Sequence, residues 1–346
     1  MAQAIWGLQL WIRSVVLNLF RDMTVLRVLL SLIGTGVAWT ETSVPEIGKA
    51  IIGYWGSASD LPKESQLAEA LQRGYNVIAV AFGDTLGADG SFQIHTNLGA
   101  PPTKSEISRT AGVSGDSWQY ILSFGGQNAA GPYVTDVDGY VSGFMKTYEA
   151  AQEQYGFDGI DIDIETGMGT QLLKALRQIF QQLHAKNQVI SMAPQPLNID
   201  PAEVSVFMEG AYNCYVPLVD TTIIDSVTYV AVQLYNNAMP LGDLEKYIAS
   251  MQAGTTIQWN GESLKLDIPS SKLVFGFPSA PGAAPSGPAE SWELPASSLA
   301  SHYRSSPTLM ATGGCMTWSI GWDASQEWAW VKAVKELWSA SQSVLV

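Results

Sequence analysis

Phe157-Asp158-Gly159-Ile160-Asp161-Ile162-Asp163-Ile164-Glu165 is the stretch that decides the fold. Side chains alternate along a strand, so Asp161, Asp163 and Glu165 share one face, roughly 6.6 Å apart at successive positions. Ile160, Ile162 and Ile164 share the other. Three carboxyls on one side and an unbroken isoleucine row on the other suit a strand between a helix layer and a polar interior. The alternatives on residues alone are an exposed edge strand with a polar face and a carboxylate metal site, since hard cations take oxygen ligands. The segment holds no histidine, and the chain has only His95, His184 and His302. Stacked like charges must share protons, which raises at least one pKa. That prepares a neutral carboxylic acid near neutral pH, as protonation of a glycosidic oxygen requires.

Working outward, seven further short apolar runs resemble this one in length. They are Ala50 to Trp55, Val77 to Phe82, Tyr120 to Phe124, Val189 to Met192, Val227 to Leu234, Leu273 to Phe277 and Gly314 to Trp318; the acidic strand Gly159 to Ile164 is the fourth in order. Each is rich in β-branched or aromatic residues, as strands buried on both faces are. Helix-like segments lie between them: Glu64 to Gln72, Asp136 to Tyr155, Gln171 to Lys186, Ala202 to Asn213, Leu241 to Gln252 and Ser325 to Ser339. Eight strands alternating with helices predict an α/β fold, a (β/α)8 TIM barrel, with an open doubly wound sheet as competitor. In a barrel the carboxyl column rises to the C-terminal mouth, with Glu165 at the top. The Gly/Pro/Ser-rich stretch Ser279 to Ser298 reads as a loop after the seventh strand. No solenoid or propeller period is present.

Composition agrees with a large globular domain. The 346 residues are 47% hydrophobic, which excludes intrinsic disorder. Lys and Arg total 18 against 32 Asp and Glu, a net charge of −14. Nucleic-acid binding needs a basic footprint and docking on anionic lipid needs cations, so both are disfavoured. The 12 Trp, 13 Tyr and 10 Phe offer flat faces for sugar rings, although large barrels also bury aromatics. Cys214 and Cys315 form no CxxC pattern; they can pair or remain two buried thiols. No Asn-X-Ser/Thr sequon occurs.

Residues 1–45 read as a separate N-terminal segment and 46–346 as the barrel. The run Val28 to Trp39 is too short to span a bilayer, which takes about 20 residues, and fits a signal-peptide core. Read from Met23, it ends in Gly36-Val37-Ala38, small residues suited to cleavage after Ala38. The alternative is an amphipathic helix packed on the domain.

These residues resemble the glycoside hydrolase family 18 chitinases. The family's fourth-strand signature, Asp-Gly-x-Asp-x-Asp-x-Glu, is met in full by Asp158 to Glu165. Its third-strand Ser-x-Gly-Gly is met by Ser123-Phe124-Gly125-Gly126. Met192-Ala193-Pro194-Gln195-Pro196 is similar to the fifth-strand segment, and Gln233-Leu234-Tyr235-Asn236-Asn237 to the sixth. Thr317-Trp318-Ser319-Ile320-Gly321-Trp322-Asp323 resembles the eighth-strand end, although relatives often carry Asn where this chain has Gly321. The link before the last strand, Ser279 to Thr312, is too short for the α+β insertion of some members, which implies the open-cleft form and internal cleavage.

The resemblance implies a secreted, cofactor-free enzyme, a monomer acting on chitin or N-acetylglucosamine oligosaccharides, with no metal, no nucleic acid and no membrane association in the mature form. It implies Glu165 as general acid and base, Asp163 and Asp161 as its charge-sharing partners, and Tyr235 as the residue that orients the substrate acetamide. Gln233, Trp318, Met192, Gln195, Asn236 and Tyr54 are the candidate sugar contacts. Trp55, Trp118, Trp292 and Trp322 are possible outer platforms, while Asp158 and the Gly125-Gly126 pair read as structural. Rival functions are an endo-β-N-acetylglucosaminidase acting on N-glycans and a non-catalytic chitin lectin.

Overall fold

The computed structural model describes residues 47–339, apart from positions 58, 60, 85, 128, 201–204, 238 and 285–295. Eight parallel strands follow one another as β1 (Ala50–Trp55), β2 (Val77–Asp84), β3 (Gln119–Gly125), β4 (Gly159–Asp163), β5 (Val189–Met192), β6 (Tyr229–Gln233), β7 (Leu273–Pro278) and β8 (Gly314–Trp318). Each pairs with its sequence neighbours, and β1 pairs with both β2 and β8, so the sheet closes. The expected barrel is the observed one.

The helices that cover it are α1 (Ser65–Arg73), α2 (Lys104–Ala111), α3 (Val137–Tyr155), α4 (Thr170–Ala185), α5 (Leu244–Met251), α6 (Ala296–Ser305) and α7 (Ala329–Ser339). Their sequences carry the reasons. In α4 the buried residues Leu172, Leu173, Leu176, Ile179, Phe180 and Leu183 repeat at three- and four-residue spacing and turn one stripe to the sheet. α2 starts at a capping box between Thr103 and Glu106, worth about 1 kcal/mol. α3 ends at Gly156, whose φ of 78° suits the left-handed conformation that glycine adopts freely.

Two apolar layers result. Ile160, Ile162, Ile164, Val230, Val232 and Phe275 point outward into the helix layer, while Ile52, Ala79, Ile121, Val189, Ala231 and Met316 fill the barrel interior. Among the described residues no helix is long and apolar enough to cross a membrane. Cys214 and Cys315 are both free and buried.

Three expectations change. The helix read over Ala202 to Asn213 is absent from the described part, where residues 205–213 are bends and turns. Its apolar residues are spent on a loop whose ends are held by tertiary hydrogen bonds. The helix read over Ser325 to Ser339 is broken: a short helix, Ile320–Ser325, is followed by Glu327 and Trp328 at positive φ before α7 begins. An antiparallel hairpin, Thr256–Trp259 with Glu262–Lys265, was not anticipated. The N-terminal segment and its cleavage site lie outside the described residues, as does Trp292.

Candidate active site

β4 carries the site because its two faces are chemically opposite. The isoleucine row is buried in the outer core. On the inner face Asp161 and Asp163 are buried within the barrel, and Glu165, two residues past the end of the strand, stands half-buried at the C-terminal mouth. The glycine pair at the end of β3 lets this strand come close. Gly125 and Gly126 have φ of 122° and 89°, and a Cβ on Gly125 would lie 2.3 Å from the Asp163 carbonyl oxygen. Gly126 N–H donates to that same oxygen at 2.7 Å. Asp158, at the strand's start, plays the structural part expected of it. It takes both hydrogen bonds of Lys104 Nζ, at 2.7 and 2.8 Å, and accepts the Tyr120 N–H, pinning α2 and β3 to β4.

Neighbouring strands supply donors to the column in order of height. At the bottom, Tyr54 Oη and Ser123 Oγ both donate to Asp161 Oδ2, at 2.7 and 2.6 Å. In the middle, Gln233 Nε2 donates to Asp163 Oδ1 and to the Ala193 carbonyl oxygen. At the top, Gln195 Nε2 donates to Glu165 Oε2 at 2.8 Å. Behind the column, Tyr215 Oη donates to the carbonyl oxygens of Ile164 (2.9 Å) and Ile162 (3.3 Å), which fixes the exit of β4.

All three carboxyls are held above their ordinary pKa, and burial is the main cause for each. Asp163 is pushed furthest from the ordinary range, because the charges of Glu165 and Asp161 add to burial and only Gln233 opposes them. For Asp161 the hydroxyls of Ser123 and Tyr54 work against burial. For Glu165 the amides of Gln195 and Gln233 do so. The column therefore holds protons at pH values where free carboxyls have lost them, and its outermost member is the one a ligand can reach.

The aromatic floor comes from β8. Trp318 stacks on Phe82 with ring centroids 6.0 Å apart and 16° between planes, and it tilts against Tyr54 at 5.6 Å. Tyr235, just past β6, faces inward, and its hydroxyl lies 3.8 Å from Met316 Sδ. Asn236 is exposed at φ 57°, and the neighbouring Asn237 amide donates to the carbonyl oxygens of Gln233 and Tyr235, holding that turn.

The structure thus brings Glu165, Asp163, Asp161, Gln233, Gln195, Trp318 and Tyr235 together, and it moves four other residues. Met192 was expected to line the mouth but faces the helix layer, because β5 pairs Asp161 with Ser191; Ser191 is the inward residue. Tyr54 was expected to touch sugar but is buried beneath Trp318 and acts on Asp161. Trp55 and Trp118 are no outer platforms: both are 1% exposed, with their indole N–H groups donating to Lys63 O and Ser108 Oγ. Trp322 does remain partly exposed and donates to Ser59 O. Sequence reasoning missed Ser191, Tyr215 and Phe82 as parts of the site. Tyr215 carries no local signal; Ser191 and Phe82 needed the register between strands.

Residues 50–338 match the sequence profile of Glycosyl hydrolases family 18. The chain is 28% identical over 323 residues to Endochitinase 37 of Trichoderma harzianum, covering 81% of this chain and 88% of that protein. It is 26% identical over 313 residues to a chitinase of Enterococcus faecalis, covering 81% and 83%. The crystal structure of a family GH18 chitinase from Chromobacterium violaceum superposes with a TM-score of 0.64 at 23% identity, over 86% of this chain and 85% of that one, which shows a shared fold. With the match running from β1 into α7 and across the whole carboxyl column, the chain belongs to glycosyl hydrolase family 18.

Proposed function

We propose that this protein is a secreted chitinase that hydrolyses β-1,4 linkages within chains of N-acetylglucosamine. The observation that carries the reading is the Asp161–Asp163–Glu165 column, whose carboxyls burial holds above their ordinary pKa, Asp163 further raised by the charges of its two neighbours, and which is open to a ligand only at Glu165. Glu165 donates its proton to the glycosidic oxygen. The substrate's own acetamide oxygen attacks the anomeric carbon as the C–O bond to the leaving group breaks, so an oxazolinium ion forms with no covalent bond to the protein. Asp163 accepts the acetamide N–H and stabilises the positive charge. Among the described residues none donates to the buried Oδ1 of Asp161, a place for the proton it shares with Asp163. Tyr235 orients the acetamide carbonyl, and Trp318 underlies the sugar ring. Glu165 then takes a proton from water, which opens the oxazolinium with net retention.

Internal cleavage rests on the shortness of the link between β7 and β8, residues 279–313, which leaves too little chain for a walling insertion domain. Secretion rests on the signal-like segment ending at Ala38, and a mature terminus near Trp39 in N-terminal sequencing of exported protein would support it.

The test is to incubate wild type and Glu165→Gln with chitin oligosaccharides, and separately with a high-mannose glycoprotein, and to identify products by mass spectrometry. Shorter N-acetylglucosamine oligomers from the wild type alone are expected. Release of intact glycan without chitin cleavage would keep the mechanism and move the substrate to glycoproteins. Equal turnover by both proteins would remove Glu165 from its role.

A further inference from the structure

Glu165 is held by its side chain and by its backbone, and the two holds join in a closed ring. Its Oε2 accepts the Gln195 side-chain amide at 2.8 Å. The Gln195 backbone N–H donates to Asn198 Oδ1 at 2.9 Å. The Asn198 carbonyl oxygen accepts the Tyr215 N–H at 3.0 Å. Tyr215 Oη donates to the carbonyl oxygen of Ile164, the residue directly before Glu165, at 2.9 Å. The path that leaves the carboxylate therefore returns to the peptide that carries it, by way of the loop after β5 and the segment around Tyr215.

The ring is buried and braced. Tyr215 is 1% exposed and Asn198 6%. Asn198 Nδ2 donates to Ala211 O at 2.8 Å and the Asn213 N–H to Leu197 O at 2.9 Å, which tie the loop after β5 to the segment that leads into Tyr215. Burial first, and then the charge of Asp163, hold the Tyr215 hydroxyl well above the ordinary phenol range, so it stays a donor from acid to neutral pH.

The Ile164 carbonyl is the point that needs such a donor. β4 ends at Asp163, and its ladder with β5 ends at Ile162, whose carbonyl oxygen accepts the Ala193 N–H at 2.9 Å. Past the ladder, a side chain holds the peptide in place of a neighbouring strand. A buried carbonyl without a donor is costly, so the hydroxyl selects one orientation of the Ile164–Glu165 peptide. Rotation of that peptide would swing the Glu165 side chain.

We infer that Tyr215 is a positioning residue for Glu165, and that with Asn198 it fixes the direction in which the acid meets the glycosidic oxygen. Tyr215 acts through the Ile164–Glu165 peptide, from behind the carboxyl column. The inference rests on the role of Glu165 proposed above.

Tyr215→Phe removes only the hydroxyl. Tyr120→Phe is the comparison, because Tyr120 is equally buried and its hydroxyl donates to a backbone carbonyl, Pro102 O at 2.9 Å, near the start of β3 at the other end of the barrel. Both variants should lose thermal stability to a similar extent. On chitin oligosaccharides, Tyr215→Phe alone should lower kcat about tenfold and leave KM within about twofold, since misplacement of a reacting group acts on the transition state. Carboxyl-carbon NMR titration, with the Glu165 resonance assigned by its loss in Glu165→Gln, gives a second readout. The Glu165 pKa should rise in Tyr215→Phe, because a carboxyl that turns away from Gln195 loses a donor to its charged form. Gln195→Leu should raise it too, and the double variant should shift little beyond the larger single change, as residues acting through one ring do.

No change in kcat, or none in the Glu165 pKa, would overturn the inference. So would an equal loss of rate in Tyr120→Phe, or fully additive shifts in the double variant. If the wild type leaves the oligosaccharides intact, the chitinase reading fails, while the titration still decides the ring. If Tyr215→Phe lacks a cooperative thermal transition, Asn198→Ala, which takes the acceptor from the Gln195 N–H, is expected to raise the Glu165 pKa in the same direction. An unmoved Glu165 pKa in that variant would equally remove the ring from its role.

Discussion

The Asp161–Asp163–Glu165 column and the lone carboxyl of Asp323 belong to the same barrel, and they are built differently. Asp323, in the helix after β8, is fully buried. Its Oδ2 accepts Tyr75 Oη at 2.8 Å and the Val331 N–H at 3.2 Å, and its Oδ1 accepts the Trp330 N–H at 2.8 Å. Burial pushes it up to about 6 against these three donors, and no other acid contributes. The column has fewer donors per carboxyl, and its members repel one another. Burial thus raises a carboxyl pKa anywhere. Stacked like charges, rising to an open mouth, distinguish a group placed for chemistry from one placed to hold chain segments together.

The largest expected effect is on rate. Glu165→Gln should lower turnover of chitin oligosaccharides by at least about 10²–10⁴-fold, the usual worth of a general acid and base, while leaving the thermal midpoint at pH 7 no lower. A loss of stability instead would make Glu165 resemble Asp323. The converse change is Asp323→Ala. It orphans three buried donors at about 1 kcal/mol or more each, so urea denaturation should show a loss of about 3 kcal/mol with the folded fraction still active.

A third prediction uses pH. Asp163 has its pKa raised on folding, so the native state binds more protons than the unfolded chain. Its contribution is complete below the ordinary carboxyl range and is lost as pH rises through the raised value. Asp163→Asn removes that loss while its amide oxygen can still accept from Gln233. The variant should be more stable than wild type at pH 8, and the difference should shrink toward pH 4, by thermal melts across the range. A variant less stable at every pH would show that the column does not oppose folding. The smallest effect is expected for Gln195→Leu. The Gln195 amide favours the charged form of Glu165, so its removal raises that pKa. Because the acid must be protonated to act, the alkaline limb of the pH–rate profile should move to higher pH.

Much of this was legible along the chain. Alternation in residues 157–165 placed the carboxyls on one face, and eight runs with intervening helical periods specified a barrel. The Gly125-Gly126 pair announced a close backbone approach. What failed was anything that depends on a neighbouring strand. Met192 looked like a mouth residue because it opens a motif, yet pairing of Asp161 with Ser191 turns it outward. Trp55 and Trp118 looked like platforms because tryptophan suits sugars, yet both fill the outer core. Residues 205–213 read as a helix and form a loop, because Asn198 and Asn213 supply hydrogen bonds that a helix would have made internally.

By itself the sequence determined the period of each element and therefore which residues of one strand share a face, because alternation in a strand is a local property of the backbone. Closure, register and height in the barrel were decided only by the tertiary structure. Those follow from hydrogen bonds between strands distant in the chain, and they put Tyr54 and Ser123 on Asp161, Gln233 on Asp163 and Gln195 on Glu165.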